Sequence, residues 1–278
     1  MITLTRICPI LLALLFISAT SANAAQELSF GVIPYISAGP LVQAQSPLKQ
    51  YISKVLGQQV NLVTAPDFPA FLERTQKGEY DLLFTAPHFG RLAEQRDGYK
   101  GIVMTSHHVQ ALFLTKKDSP IETLDDLKGK KVMIAQRLSM IFQLADATLQ
   151  QKGLIDGKNI TIVDTRTHNN ALYAPLRDEA EASVTGVLLW HTLGQEFKEK
   201  LKVIGTTSKV PGFLFLVHPR MPVKTQKKLK DALLKFGQTP EGKAYFENTG
   251  FNGFESISDK TMKEIDPYTK ILTTKPAT

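Results

Sequence analysis

The sequence predicts an α/β protein built on mainly parallel sheets. Short apolar runs alternate with helical patterns along most of the 278 residues, which is typical of successive strand–helix units. Hydrophobic residues make up 43% of the chain, charged residues 21%, and the mean hydropathy is −0.09. These values exclude a disordered polar chain and a protein with many membrane spans. The length suggests about two domains.

The first residues have the pattern of a secretory signal peptide. A basic start at Arg6 precedes an unbroken apolar run at 10–19, and small residues lie before Ala24. The run is shorter than the roughly 17 to 25 apolar residues that a membrane helix needs. We expect cleavage after Ala24, so that 1–24 is the signal peptide and the mature protein is periplasmic. It would contain no cysteine, because Cys8 is the only one.

The first part of the mature chain predicts three strands, each followed by a helix. The strands are expected at Leu28–Ile33, Gln59–Val63 and Tyr80–Phe84. Ser46 and Pro47 predict the start of the first helix, since serine caps helices and proline is favoured in the first turn. Gly57 predicts its end. Asp67 is expected to cap the second helix.

The pattern then repeats and closes with helices. Further strands are expected at 102–105, 109–115, 131–135, 160–164, 182–189, 201–204 and 212–219. Ser139 predicts the cap of a helix over 140–152, and a helix over 168–179 is interrupted by Pro175. Three helices are expected over 222–236, 240–248 and 258–265.

Several segments resemble a known family in their order and spacing. They include FGVIP at Phe30–Pro34, GEYDLLFTAPHF at Gly78–Phe89 and KKDSPIETLDDLKGKKVMIA at Lys116–Ala135. This set resembles the phosphate, phosphite and phosphonate subfamily of periplasmic solute-binding proteins. The resemblance covers nearly the whole mature chain.

The resemblance implies two Rossmann-like lobes with mixed, mainly parallel sheets, joined by a two-strand hinge. The first lobe would comprise 25–107 and 207–278, and the second 108–206. The hinge crossings would fall at 105–111 and 204–212. A ligand held between the lobes would close them by hinge motion.

Ligand contacts are expected where strands end and helices begin, because free N–H groups and positive dipole ends there suit an anion. In the first lobe, Tyr35 and Ser37 follow the first strand, and Thr85 and His88 follow the third. Tyr35 would stack on the ligand or donate its hydroxyl; the alternative is packing at the edge of the lobe.

The turn Arg137-Leu138-Ser139-Met140 departs from the family pattern. Phosphonate binders have a Ser-Thr-Ser-Gly type of turn here, whose hydroxyl and N–H groups surround the phosphoryl oxygens. Arg137 could offer a bidentate contact to an anion, or it could be a solvated loop residue. Ser139 could contact the ligand, or it could only cap the helix. The departure leaves the ligand open between a phosphonate or phosphate and a carboxylate.

Two other strand exits complete the candidate site. His168 and Asn169 match a Ser-His-Asp-like turn of the family, and Trp190 with His191 follows a further strand. The alternative for Trp190 is a place in the core. The six histidines form no zinc-like pair four residues apart, so we expect no metal and no cofactor.

Other functions find little support. The chain contains no Gly-x-Ser-x-Gly, Walker or Gly-x-Gly-x-x-Gly motif, so we expect no enzyme. The net charge of +7 is spread along the chain without an aromatic-basic cluster, which disfavours nucleic-acid binding. We expect a monomer that binds a small-molecule ligand for a membrane ABC permease. The alternative is a sensing module for a membrane receptor or kinase.

Overall fold

The computed structural model describes residues 27–165 and 167–273. The predicted signal peptide and its cleavage point lie outside the described residues. Within the described part of the chain, no helix has the length and hydropathy that a bilayer span requires.

Eleven strands and ten α-helices make up the described fold. The strands are β1 (Leu28–Val32), β2 (Val60–Val63), β3 (Leu82–Thr85), β4 (Lys100–Thr105), β5 (Ala111–Lys116), β6 (Lys131–Ala135), β7 (Thr161–Thr165), β8 (Ala182–Gly186), β9 (Leu201–Thr206), β10 (Leu214–Val217) and β11 (Phe254–Glu255). The helices are α1 (Ala38–Leu56), α2 (Phe68–Gln76), α3 (Pro87–Asp97), α4 (Met140–Gln151), α5 (His168–Tyr173), α6 (Val187–Thr192), α7 (Gln195–Lys198), α8 (Val223–Phe236), α9 (Pro240–Thr249) and α10 (Asp259–Ile265).

The strands form two mixed sheets, ordered β11-β4-β10-β3-β1-β2 and β7-β6-β8-β5-β9. Most strands of each sheet share one direction, and β5, β10 and β11 run against it. The α/β prediction with mixed, mainly parallel sheets is therefore confirmed. The reversed strands β5 and β10 each follow a segment that crosses between the sheets.

The chain crosses between the sheets twice, in 106–110 and in 207–213. Val109 and Val210 form an antiparallel bridge between these segments, and each N–H donates to the other's carbonyl oxygen at 3.0 Å. The two crossing segments are thus hydrogen-bonded to each other, as a two-strand hinge requires. The exact lobe boundaries stay a prediction.

The first helix begins earlier than the sequence predicts. Helix α1 starts after Ser37, and Pro47 lies inside it. Ser46 does not cap a helix; its hydroxyl donates to the carbonyl of Val42 one turn earlier. Burial of one face of α1 keeps the helix continuous although Pro47 removes one backbone hydrogen bond. The predicted end at Gly57 is confirmed, with φ at 67°.

The strand expected over 182–189 is also wrong in its second half. Strand β8 ends at Gly186, and the apolar run continues as helix α6. The N–H of Val187 donates to the carbonyl of Gln110, which continues the register of the pair between Ala111 and Gly186, and the chain then turns into the helix. A short apolar run does not distinguish a buried strand from a buried helix, so residue type alone did not give this boundary.

Candidate functional site

A cavity of about 260 Å³ lies between the two sheets. The first sheet and its helices contribute Ile33, Tyr35 and His88, among others, and the second contributes Ser139 and His168. The first crossing segment forms part of the wall through 107–110. The cavity is therefore bordered by both halves of the fold and by the connection between them.

Helices α3 and α4 both begin at this cavity. His88 and Phe89 at the start of α3 line it, as do Met140 and Ile141 at the start of α4. The first N–H groups of a helix have no partner within the helix, and its N-terminus carries a partial positive charge. Because α3 follows the first sheet and α4 the second, the two ends can bind one anion from opposite sides.

His88 connects these two helix starts. The side chain is fully buried, and its Nε2 lies 2.9 Å from the carbonyl oxygen of Leu138, in the turn before α4. A carbonyl only accepts, so Nε2 carries the proton and Nδ1 presents a lone pair. Among the described residues Nδ1 has no partner. Burial lowers the pKa of His88 to about 4, which keeps the ring neutral at pH 7.

Two more histidines present buried ring nitrogens at the wall. His107 Nδ1 lies 2.7 Å from the hydroxyl of Thr105, and its Nε2 is buried without a partner in the described chain. Burial lowers the pKa of His107 to about 3, with a smaller effect from His108. His168 has a buried, unpartnered Nδ1, and burial lowers its pKa to about 4. The three rings thus offer neutral hydrogen-bonding groups.

Tyr35 is held by a short hydrogen-bond chain. Its hydroxyl accepts from Gln45 Nε2 at 3.2 Å, and Gln45 Oε1 accepts from the Tyr245 hydroxyl at 2.9 Å. Burial raises the pKa of Tyr35 to about 12, so the hydroxyl keeps its proton. That proton is free to be donated to a ligand.

The other hydroxyl groups at the wall are already engaged. Ser139 Oγ accepts from the N–H of Phe142 at 3.0 Å and donates to the Ala135 carbonyl at 3.2 Å. Thr192 donates to carbonyls one turn earlier in α6, and Thr249 donates to the Tyr245 carbonyl at 2.7 Å. Among the described hydroxyls of the wall, Tyr35 alone has a proton available.

Four of the predicted site residues therefore meet at one cavity, namely Tyr35, His88, Ser139 and His168. The other six are not among its described lining residues: Ser37, Thr85, Arg137, Asn169, Trp190 and His191. Ser37 is exposed before α1, whereas Thr85 and the carbonyl oxygen of the Asn169 side chain are buried without a partner in the described chain. Their roles as ligand contacts stay predictions.

Arg137 is occupied by neighbours of its own half. Its guanidinium lies 3.0 Å from Asp156 and 3.4 Å from Asp164, and it donates to the Ile162 carbonyl at 3.1 Å. It also lies 5.3 Å from the centre of the Phe142 ring. These contacts favour the alternative that Arg137 is a solvated loop residue over a bidentate contact with a ligand.

Trp190 and His191 lie on helix α6. Trp190 packs against a small core cluster that includes Leu172, and Lys198 lies 6.0 Å from its ring centre. His191 is exposed. These positions support the core alternative for the tryptophan.

The first crossing segment and the end of α9 also form part of the wall, and neither was among the predicted site residues. His107, His108 and Gln110 line the cavity, as do Asn248 and Thr249. The adjacent histidines at the expected hinge were a usable signal. Asn248 and Thr249 are the last residues of α9, whose sequence carries no local sign of a cavity. Across residues 27–165 and 167–273, no group of three or more metal-ligating side chains is placed to hold a metal ion.

Ser139→Ala tests the double role of this serine. We expect a loss of about 1 kcal/mol in the free energy of unfolding, because the N–H of Phe142 loses its cap. Ser258→Ala is the matched control, since Ser258 caps α10 by accepting from Thr261 N–H at 3.1 Å. Urea unfolding and ligand titration of both variants separate the effects. Weaker ligand binding confined to Ser139→Ala supports a ligand contact, and unchanged affinity in both contradicts it.

Tyr35→Phe removes the available hydroxyl proton. We expect the affinity for an anion to fall roughly tenfold or more, since a hydrogen bond to a charged group contributes about 1.5 to 3 kcal/mol. Tyr245→Phe breaks the other end of the same chain of hydrogen bonds without removing a cavity hydroxyl. Calorimetric titration should therefore show a larger affinity loss for Tyr35→Phe than for Tyr245→Phe. If the two variants lose affinity equally, the loss comes from the displaced Gln45 side chain and not from a hydrogen bond between Tyr35 and the ligand.

Two mixed α/β sheets joined by two crossing segments, with a cavity between them, form the fold of type II periplasmic binding proteins. A family model described as "ABC transporter, phosphonate, periplasmic substrate-binding protein" matches residues 30–262. The chain belongs to this family. The family resemblance noted in the sequence is thereby confirmed.

Individual relatives agree with this assignment. The phosphonates-binding periplasmic protein of Escherichia coli (strain K12) is 27% identical over 263 residues, which cover 86% of this chain and 75% of the relative. A binding protein of an ABC phosphonate transporter from Pseudomonas aeruginosa has a TM-score of 0.77 at 19% identity, covering 88% of this chain and 86% of that one. PhnD1 from Prochlorococcus marinus (MIT 9301), in complex with methylphosphonate, has a TM-score of 0.78 at 17% identity, covering 89% and 98%.

Proposed function

We propose that this protein binds a small solute with an anionic, phosphonate-like head in the cavity between its two halves and delivers it to a membrane ABC permease. The observation that carries the proposal is the meeting of helices α3 and α4 at one cavity. Their free N–H groups would contact the oxygens of the head. Tyr35 would add a hydroxyl proton.

The family supports import as the role. It consists of substrate-binding components of transporters, which favours delivery to a permease over signalling to a receptor, and solute binding over catalysis. The apolar run at 10–19 supports export to the periplasm, where such a component meets its permease. A monomer, as expected from the sequence, would suit this role.

A ligand screen on the purified mature protein tests the proposal. Phosphate, phosphite, methylphosphonate, acetate and neutral amino acids are each added, and the melting temperature is measured after any co-purified ligand has been removed. We expect a phosphonate to stabilise the fold by roughly 2.7 kcal/mol at one hundred times its dissociation constant. Stabilisation by a neutral or cationic solute, with none by the anions, contradicts an anionic head.

His88→Ala tests the connection between the two helix starts. We expect at least a fivefold loss of affinity, because the contact joins the two halves around the cavity and its removal leaves the Leu138 carbonyl without this partner at about 1 to 3 kcal/mol. His218→Ala is the matched control; His218 contacts Tyr99 and does not line the cavity. Titration calorimetry compares the two. If both variants bind as the unmodified protein does, the contact between His88 and Leu138 has no part in closure.

A further inference from the structure

We propose that the solute of this cavity carries an uncharged, apolar substituent on its anionic head, as an alkylphosphonate or arylphosphonate does, and no ammonium group. This inference rests on the proposed function, because it assigns the chemistry of the substituent and takes the head from the proposal above.

The wall of the cavity is mostly apolar. Its hydrocarbon surface comes from both halves and from the crossing segment, through Ile33, Ile36, Phe68, Val109 and Leu188. The Thr192 and Thr249 hydroxyls at this wall donate to helix carbonyls. An apolar substituent gains free energy when it moves from water onto such a surface, in proportion to the area it buries.

The cavity lacks a partner for a positive charge. Every aspartate and glutamate of the chain lies within the described residues 27–165 and 167–273, and none of them lines the cavity. Burying an ammonium group without a carboxylate beside it is strongly unfavourable. The neutral histidine rings could accept one hydrogen bond each, but they supply no opposite charge. A cationic substituent would therefore be disfavoured here.

The cavity is also larger than a small phosphonate needs. At roughly 30 Å³ per water molecule, its volume of about 260 Å³ corresponds to about nine waters. Methylphosphonate has five heavy atoms, so it would leave part of the apolar wall in contact with water. A longer substituent would displace that water and bury the wall.

Three ligands of matched shape test the inference by titration calorimetry on the unmodified protein. n-Propylphosphonate and 2-aminoethylphosphonate differ only in a terminal methyl or ammonium group, and methylphosphonate lacks the two added methylenes. We expect n-propylphosphonate to bind roughly tenfold more tightly than methylphosphonate, at about 0.8 kcal/mol per methylene. We expect 2-aminoethylphosphonate to bind at least tenfold more weakly than n-propylphosphonate.

The outcomes separate this inference from the proposed function. If methylphosphonate or 2-aminoethylphosphonate binds as tightly as n-propylphosphonate, the inference of an apolar substituent is wrong. The proposal of a phosphonate-like head is unaffected by that result. If none of the three binds, the proposed function fails, and the inference fails with it.

A pair of variants at Leu188 provides a second measurement. Leu188→Glu introduces a carboxylate into the wall, and Leu188→Gln introduces a neutral group of the same shape. The measured quantity is the ratio of the affinity for n-propylphosphonate to that for 2-aminoethylphosphonate. We expect this ratio to be at least tenfold smaller in Leu188→Glu than in Leu188→Gln. Melting curves without ligand report whether each variant is folded. An equal preference ratio in the two folded variants contradicts the missing-carboxylate argument.

Discussion

Protonation of His88 and His107 is expected to lower the free energy of unfolding by about 4 kcal/mol between pH 7 and pH 5. Burial lowers the pKa of His88 to about 4 and that of His107 to about 3, against about 6.5 in an unfolded chain. The unfolded state therefore binds more protons below pH 6.5, so the stability present above that pH is lost as the pH falls toward the folded values. Each ring contributes a loss on the order of 2 kcal/mol over this range.

Histidines account for most of the expected loss of stability between pH 7 and pH 5. The pKa of His168 is lowered as well, so this residue adds to the loss in the same direction. Three exposed carboxyl groups have pKa values below their ordinary ones, namely those of Glu73, Asp126 and Glu179. They therefore titrate below this pH range. Destabilisation above pH 5 therefore reports the histidines.

Urea unfolding at pH 7, 6 and 5 measures the effect. In His88→Phe the loss of stability between pH 7 and pH 5 should be smaller by the contribution of one ring, about 2 kcal/mol. If the curves of the unmodified protein and His88→Phe run parallel between pH 7 and pH 5, His88 is not held in its neutral form.

Gly212→Ala is expected to destabilise the fold by about 3 kcal/mol or more. A Cβ at this position would lie 2.4 Å from the carbonyl oxygens of both Thr105 and His107 and 2.4 Å from the Thr105 hydroxyl. The backbone here is held by paired hydrogen bonds, since Phe213 N–H donates to the Thr105 hydroxyl at 2.8 Å and Thr105 N–H donates to the Phe213 carbonyl at 2.8 Å. Overpacking against fixed backbone atoms forces the two segments apart.

Gly39→Ala is the matched control. Gly39 lies in the first turn of α1, and a Cβ there would meet no atom within 4 Å. Alanine favours a helix over glycine by roughly 0.5 to 1 kcal/mol, so this variant should be neutral or more stable. Urea midpoints of both variants decide the matter. A Gly212→Ala midpoint equal to that of the unmodified protein contradicts the close approach of the two crossing segments. Because the same segments border the cavity, Gly212→Ala should also weaken ligand binding.

Residue types and their spacing predicted most helices and strands, but they did not predict where each one begins or ends. Gly57 and the caps at Asp67 and Ser139 were predicted from residue type, because each acts within one helical turn. The start of α1 was missed, since burial of its inner face outweighs the local preference at Ser46. The end of β8 was missed because an apolar run such as the one after Gly186 suits a buried strand and a buried helix equally well.

The candidate site also contains some residues that the sequence predicted and others that only the tertiary structure brings there. Strand exits predicted four wall residues, since the carboxyl ends of parallel strands meet at one edge of a sheet. The contribution of 107–110 required the crossing of the chain between the sheets, and that of Asn248 and Thr249 required the packing of α9.

By itself, the sequence determined the α/β class and the resemblance to phosphonate-binding proteins. Only the tertiary structure decided which polar groups remain available to a ligand. Arg137 pairs with Asp156 and Asp164, and the Ser139 proton goes to a carbonyl at the end of β6. The Tyr35 hydroxyl accepts from Gln45 and keeps its proton for a ligand, and three histidines have a ring nitrogen without a partner among the described residues. The physical reason is that a hydrogen bond depends on distance and direction across the fold, which residue type and spacing do not specify.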